Sequence, residues 1–298
     1  TLDRATGFLI PSISTSSNLG FGIKLPYFVT MGPHRDLTIT PYISAQSRTL
    51  DLRYRQAFRT GQITLSGAFS RDDIQPNDGR GYFFAEGHFD VFRDFKLSFD
   101  LKTVSDTGYL ADYDISDTDR LRSDITLTRV RRDQLIQGSI YSYKTLRDTE
   151  DQALIPSTIL TGTFEQRLFP KHIGGELRLK LNGSQFVRDS SLEATATNPN
   201  GRDMTRISAD LSWLRSWIVP YGIEASVTTG LGLDSFALAN DAAFDNEASR
   251  VTPRAALTFR RPMVRVTASG ARQVLEPVVQ LGWTQVTGDD APNEASNI

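Results

Sequence analysis

For most of its length the chain alternates apolar and polar residues with a period of two, the mark of strands whose two faces meet unlike surroundings. In Phe95-Lys96-Leu97-Ser98-Phe99-Asp100-Leu101-Lys102 every odd position is apolar and every even one polar or charged. Ile63, Leu65 and Phe69 alternate with Thr64, Ser66 and Ser70, and Leu177, Leu179 and Leu181 with Glu176, Arg178 and Lys180. Ile207, Ala209, Leu211 and Trp213 against Arg206, Ser208, Asp210 and Ser212 continue the pattern, as do Leu257 and Phe259 against Thr258 and Arg260. Apolar residues two apart cannot share one helix face, so the chain reads as all-β.

Turn residues place strands near 7–16, 19–29, 35–45, 48–58, 61–70, 81–92, 95–104, 120–131, 134–145, 157–168, 173–187, 202–213, 220–230, 250–260, 262–270 and 274–285. Most are about ten residues long, against about five or six in soluble sheets, and match the nine to eleven that a tilted strand needs to cross a bilayer. The connections alternate as well. Short turns fall at 30–34, 59–60, 93–94, 131–133 and 261, and long polar loops at 71–80, 105–119, 146–156, 188–201 and 231–249. Arg59, Arg93, Arg131, Arg132, Arg260 and Arg261 crowd the tight turns, whereas Asp72, Asp73, Asp78, Asp112, Asp114, Asp117 and Asp119 occupy the long loops. Tight turns on one side and extended loops on the other are the habit of outer-membrane barrels. A dyad pattern alone would equally suit a soluble sandwich or solenoid. Strand length and loop asymmetry select an antiparallel transmembrane β-barrel, with one domain over residues 1–298 and no linker.

No window supplies eighteen consecutive apolar residues for a membrane helix, and Thr1-Leu2-Asp3-Arg4 has no signal-peptide pattern. The absence of an initial methionine and the ending at residues 293–298 point to a piece of a longer chain. With 33 basic and 35 acidic residues the net charge is -2, so no nucleic-acid partner is expected. There is no cysteine to form a disulfide, bind a metal or act as a nucleophile, which leaves periplasm and cytoplasm both open on that count.

A search for chemistry points away from an enzyme. His34, His88 and His172 lack metal-ligand spacing, no glycine-rich phosphate loop is present, and no serine sits in a nucleophile elbow. Neither a catalytic residue nor a cofactor nor a metal is implied. The run from Asp112 to Asp119 carries alternating carboxylates but lacks the glycine and terminal glutamate of a calcium loop, and reads as a solvated acidic loop. Arginine outnumbers lysine 27 to 6, which makes phosphorylated lipid a candidate cargo or neighbour, with a codon preference for arginine as the bland alternative.

Two prolines fall inside expected strands: Pro11, in Phe8-Leu9-Ile10-Pro11, and Pro26, in Leu25-Pro26-Tyr27-Phe28. Proline cannot donate to a ladder, so strands one and two are both weakened. The pair reads either as a seam built to part or as ordinary edge and bulge features.

Gly7-Phe8-Leu9-Ile10-Pro11-Ser12, Leu25-Pro26-Tyr27-Phe28 and the block from Pro33 to Pro41 together closely resemble the start of the barrel in the lipopolysaccharide-assembly family LptD, also called OstA or organic solvent tolerance protein. Val274-Leu275-Glu276-Pro277-Val278-Val279-Gln280 resembles the family's L-E-P strand. The resemblance implies a Gram-negative outer-membrane barrel of twenty-six strands, of which residues 1–298 would supply about the first sixteen. The preceding periplasmic jellyroll and the closing strands lie outside this segment. It further implies that lipopolysaccharide arrives from an LptA-type jellyroll bridge, that its acyl chains pass sideways into outer-membrane lipid, and that a lipoprotein, LptE, plugs the lumen. A lateral gate beside strand one would then involve Pro11 and Pro26, which match the family's gate prolines, with Ile10 and Ile13 on the lip. A general porin or passive channel, and a soluble β-rich binding protein, are the alternatives from other classes.

Overall fold

The computed structural model describes residues 5–16, 18–195 and 197–292. These form an all-β antiparallel fold in two compact units, Thr1–Arg129 with Gly138–Ile159, and Val130–Gln137 with Leu160–Ile298.

The first unit opens with four short strands, β1 (Gly7–Phe8), β2 (Ser12–Ser16), β3 (Gly20–Lys24) and β4 (Tyr27–Thr30). Longer ones follow: β5 (Arg35–Ser44), β6 (Ser47–Phe58), β7 (Gly61–Asp72), β8 (Arg80–Asp90) and β9 (Lys96–Val104), then a helical turn α1 (Tyr109–Asp112) and β10 (Arg120–Val130). From β4 to β10 each strand pairs antiparallel with the next. The twelve residues of β6 and of β7 reach about 40 Å at 3.3 Å per residue, enough to cross an apolar band about 25 Å tall at the usual tilt. The division between units runs through β11 (Gln134–Thr145) and β12 (Thr158–Leu168).

The second unit continues with β13 (Glu176–Val187), β14 (Asp203–Val219), β15 (Ile223–Ala239), β16 (Glu247–Arg260), β17 (Met263–Val266), β18 (Arg272–Leu275), β19 (Val278–Thr284) and β20 (Thr287–Gly288). Here β13, β14, β15 and β16 form an antiparallel meander. Both β14 and β15 run 17 residues, and their ladder is unbroken from Asp203↔Ala239 to Val219↔Ile223.

Three expectations need correction. The strand expected at 202–213 extends to Val219, and the one at 220–230 extends to Ala239, so the long loop expected at 231–249 shrinks to 240–246. Glycine explains the second error. Gly230 and Gly232 look like loop residues, but a Cβ on Gly230 would lie 2.9 Å from Arg254 Nε, so the missing side chain is where the guanidinium rests. The third correction concerns 262–270 and 274–285, expected as two full strands after a tight turn at Arg261. Instead, among the described residues, β17 and β18 pair only with each other, and β16 pairs onward with β19, in register from Arg254↔Thr284 to Arg260↔Val278, and with β20. Pro262 and Pro277 flank this side hairpin, and neither can donate to a ladder running through its base.

Candidate functional site

The long strands sort their side chains onto two unlike faces. In β13–β16 one face carries Ile207, Leu211, Leu231, Leu233, Leu181 and Val251, all exposed, with Ile207 at 61%. The opposite face is polar and ion-paired. Arg254 Nη2 donates to Asp210 Oδ1 at 2.7 Å, Arg206 Nη2 to Asp234 Oδ1 at 2.7 Å, and Ser208 Oγ to the same carboxylate at 2.5 Å. These groups border a polar hollow of about 450 Å³, with Lys180 and Asn182 on its rim. In water the outward apolar rows would be a large unburied patch, at odds with how soluble monomers arrange their surfaces. Against hydrocarbon such rows would cost nothing, and the paired charges opposite suit hydrated surroundings.

In the first unit the same face sorting places Leu50, Leu52, Phe69, Phe83 and Leu101 outward. Aromatic residues gather where the chain makes its tight turns. Phe58 and Phe89 lie 5.6 Å apart, Phe89 stacks on Phe99 at 6.2 Å, and Phe92 meets Phe95 at 5.4 Å. In the second unit Trp217, Tyr221 and Phe169 stand exposed near the turns. Aromatic residues near tight turns are also a feature of outer-membrane barrels, where they lie at the level of the headgroups.

Pro11 and Pro26 interrupt the first hairpin. Residues 7–16 are split into β1 and β2, with Pro11 in the gap, and residues 19–29 into β3 and β4, with Pro26 in the gap. The two gaps face each other: β1 pairs β4 up to Phe8↔Tyr27, and β2 pairs β3 from Ser12↔Lys24 onward. Three residues, Leu9, Ile10 and Pro11, therefore stand opposite two, Leu25 and Pro26, a one-residue bulge. Leu9 N–H donates to Pro26 O at 2.9 Å. A residue's N–H and C=O point to the same side of a strand, so the donor that Pro26 lacks is the one that would have returned this bond.

A third proline completes the row. Leu25 N–H donates to Pro41 O at 3.1 Å, and Pro41 has no N–H to return it. Pro11, Pro26 and Pro41 thus thin the hydrogen bonding at one level across three successive strands. Sequence reasoning singled out the first two and passed over Pro41, although the three recur at equal intervals. Beside the row Ile13 pairs with Ile23, and Ile23 with Ile43, all three exposed, Ile13 at 68%. Ile10 projects from the bulge and is 88% exposed. The structure therefore brings all four expected site residues, Pro11, Pro26, Ile10 and Ile13, into one apolar, weakly bonded patch.

At the loop end of the same unit lies a buried polar hub. Arg80, its side chain 1% exposed, bonds Asp72 at 3.1 Å, Asp106 at 2.7 Å and Asp112 at 2.8 Å. Tyr113 OH donates to Asp72 at 2.7 Å, and the Tyr109 and Ser70 hydroxyls lie 2.7 Å apart. The Arg80 hydrogen bonds hold the Asp106 carboxyl below the ordinary carboxylate range, while burial pushes the Tyr109 phenol up. Asp72 and Asp112, expected in solvated loops, are instead turned inward onto this guanidinium. Among the described residues no cluster has the make-up of a metal site.

Long antiparallel strands, apolar on one face and ion-paired on the other, with aromatic residues at the tight turns, define an all-β protein of the two-faced sheet class. The family model described as "LPS transport system D", LptD, matches residues 78–297. This chain belongs to the LptD family. Among curated proteins, the "LPS-assembly protein LptD" of Idiomarina loihiensis is 28% identical over 290 residues, 93% of this chain and 36% of that protein. The LptD proteins of Nitrosococcus oceani, 35% identical over 37% of this chain, and of Bordetella pertussis, 29% identical over 50%, cover 15% and 20% of their own lengths. The chain thus matches little more than a third of any of these relatives. A solved "Bacterial polysaccharide outer membrane secretin" covers 92% of this chain and 95% of its own at 9% identity, but the TM-score of 0.28 carries nothing further.

Proposed function

We propose that this chain is the opening part of an outer-membrane β-barrel that takes part in lipopolysaccharide transport and assembly, and that strand one, residues 7–16, is a lip of its lateral gate. Membership of the LptD family supports the general role, and the proline row at the first hairpin is the observation that carries the gate. Lipopolysaccharide poses a two-solvent problem. Each acyl CH₂ taken into water costs about 0.8 kcal/mol, so the chains must stay in hydrocarbon while the sugar crosses in a polar passage. The two-faced sheet offers both surroundings, and a cargo that occupies both at once must leave sideways between strands.

Parting strands means breaking ladder bonds, each worth about 0.5–1.5 kcal/mol net in water and harder to replace in lipid. Pro11 and Pro26 reduce how many must break, and the exposed Ile13, Ile23 and Ile43 offer acyl chains an apolar surface there. The chain changes no bond in this reading. It works with the plug lipoprotein LptE and an LptA-type bridge, partners that the family relationship alone suggests.

Replacing both prolines with valine in the full-length protein tests the gate. We expect normal membrane insertion with surface delivery of lipopolysaccharide slowed several-fold, because the restored donors reinforce the seam. Delivery at the parental rate, with the barrel properly folded, would reject the gate role.

A further inference from the structure

The first hairpin is loose at its middle and held fast at its tip. Leu19, in the turn between β2 and β3, is 1% exposed and belongs to a buried cluster with Tyr42, Val104, Tyr109, Leu110, Tyr113 and Leu121. Three of these, Tyr109, Leu110 and Tyr113, come from the loop at 105–119, which is far from Leu19 in sequence and folds back over the turn. Next to Leu19, Asn18 Nδ2 donates to Asp112 Oδ1 at 2.9 Å, while Asp112 Oδ2 accepts from Arg80 at 2.8 Å. One carboxylate therefore ties the hairpin tip to the buried guanidinium that anchors the loop.

A second tie lies along β3. A Cβ on Gly22 would fall 2.3 Å from Tyr42 Cε2, so the ring lies flush against the glycine backbone, and Lys24 Nζ sits 5.4 Å from the centre of the same ring. Tyr42 in turn meets Tyr113 of the loop edge-on, with ring centroids 6.5 Å apart. On the far side of the prolines the ties are exposed ones: the Phe8 and Tyr27 rings meet edge-on with centroids 4.9 Å apart, and Thr30 N–H donates to Thr6 Oγ1 at 3.1 Å. Phe8, Ile10 and Ile13 are exposed, and Leu9 N–H to Pro26 O is the bond that bridges the bulge.

We propose that the loop at 105–119 is a clamp and that Asn18 and Leu19 are a fixed pivot, so that strand one moves as a flap whose free end is Gly7 to Pro11. Asp112 and Arg80 are then positioning residues for the gate, acting through the hairpin tip and not on the cargo. This rests on the gate reading for its purpose, but the clamp can be tested without it.

Amide hydrogen exchange on the full-length protein in its native membrane reads the clamp directly. In the parent protein, protection should rise along the hairpin, lowest at residues 7–10 and highest at 21–24. In the double variant Asn18→Ala, Leu19→Ser, protection at 21–24 should fall at least tenfold, while β6 and β7 stay as protected as before. Asp112→Ala, which leaves the turn sequence intact, should produce the same local loss. Uniform exchange along the parent hairpin, or unchanged protection at 21–24 in both variants, would overturn the clamp. A photoreactive residue at Ile10 separates the two ideas. If the exchange gradient is present but no lipopolysaccharide adduct forms there, the clamp stands and the gate reading fails.

Discussion

Pro26 and Pro41 weaken different pairings, although they sit side by side. The side of Pro26 that lacks a donor faces Leu9 in strand one, and that of Pro41 faces Leu25 in strand two. The first loosens strand one from strand two, and the second loosens strand two from β5. Pro41→Val should therefore add a protected amide opposite Leu25 and stabilise that pairing by about 0.5–1.5 kcal/mol, seen as slower exchange at 25–28, while residues 7–10 exchange as before. Slower exchange at 7–10 instead would mean that the two prolines do not act separately. The Arg80 hub sets a pH window. The carboxyl of Asp106 is held below its ordinary value by the Arg80 hydrogen bonds, so its contribution to docking the loop is complete above about 4 and is lost only as the pH falls through the lowered value. A fluorophore at Ser116 should report a docked loop at pH 5 and release only in stronger acid. Release near pH 5 would contradict this account of the hub.

At the scale of the strand, the period-two pattern is legible because successive side chains fall on opposite faces of the sheet, one apolar and one ion-paired. Leu211 and its neighbours Asp210 and Ser212 declare their faces without any knowledge of the fold. That sorting predicts an asymmetry: Leu211→Arg places a charge on the apolar face and should cost about 2–4 kcal/mol if it lies near the bilayer midplane, whereas Asn182→Arg on the polar face should cost far less. Urea titrations of the protein folded into lipid vesicles measure both, and equal costs would remove the case for a lipid-facing side. Strand ends were less legible. Gly230 and Gly232 look like breakers until Arg254 is seen lying across them, and Pro262 and Pro277 gave no sign that they bracket a separate hairpin. Pro11 and Pro26 could be singled out because they break a local pattern. The hub could not, because Arg80 gathers Asp72, Asp106 and Asp112 from two connections, and only the folded chain shows that their charges meet.

For the molecule as a whole, the family relationship and the sheet support one account from different sides. The LptD match covers residues 78–297, whereas the proline row, Pro11, Pro26 and Pro41, lies wholly before that span. The alignment to the Idiomarina loihiensis protein spans 93% of the chain and so reaches into that earlier stretch. What these residues contribute to the longer protein is, in our account, one wall of a barrel and the movable edge of that wall. In vivo photocrosslinking with a photoreactive residue at Ile13 of the full-length protein tests this most directly. The account predicts a lipopolysaccharide adduct at Ile13 that disappears when upstream transport energy is withdrawn. A correctly inserted barrel that yields no adduct at Ile13 or Ile10 under active transport would contradict it.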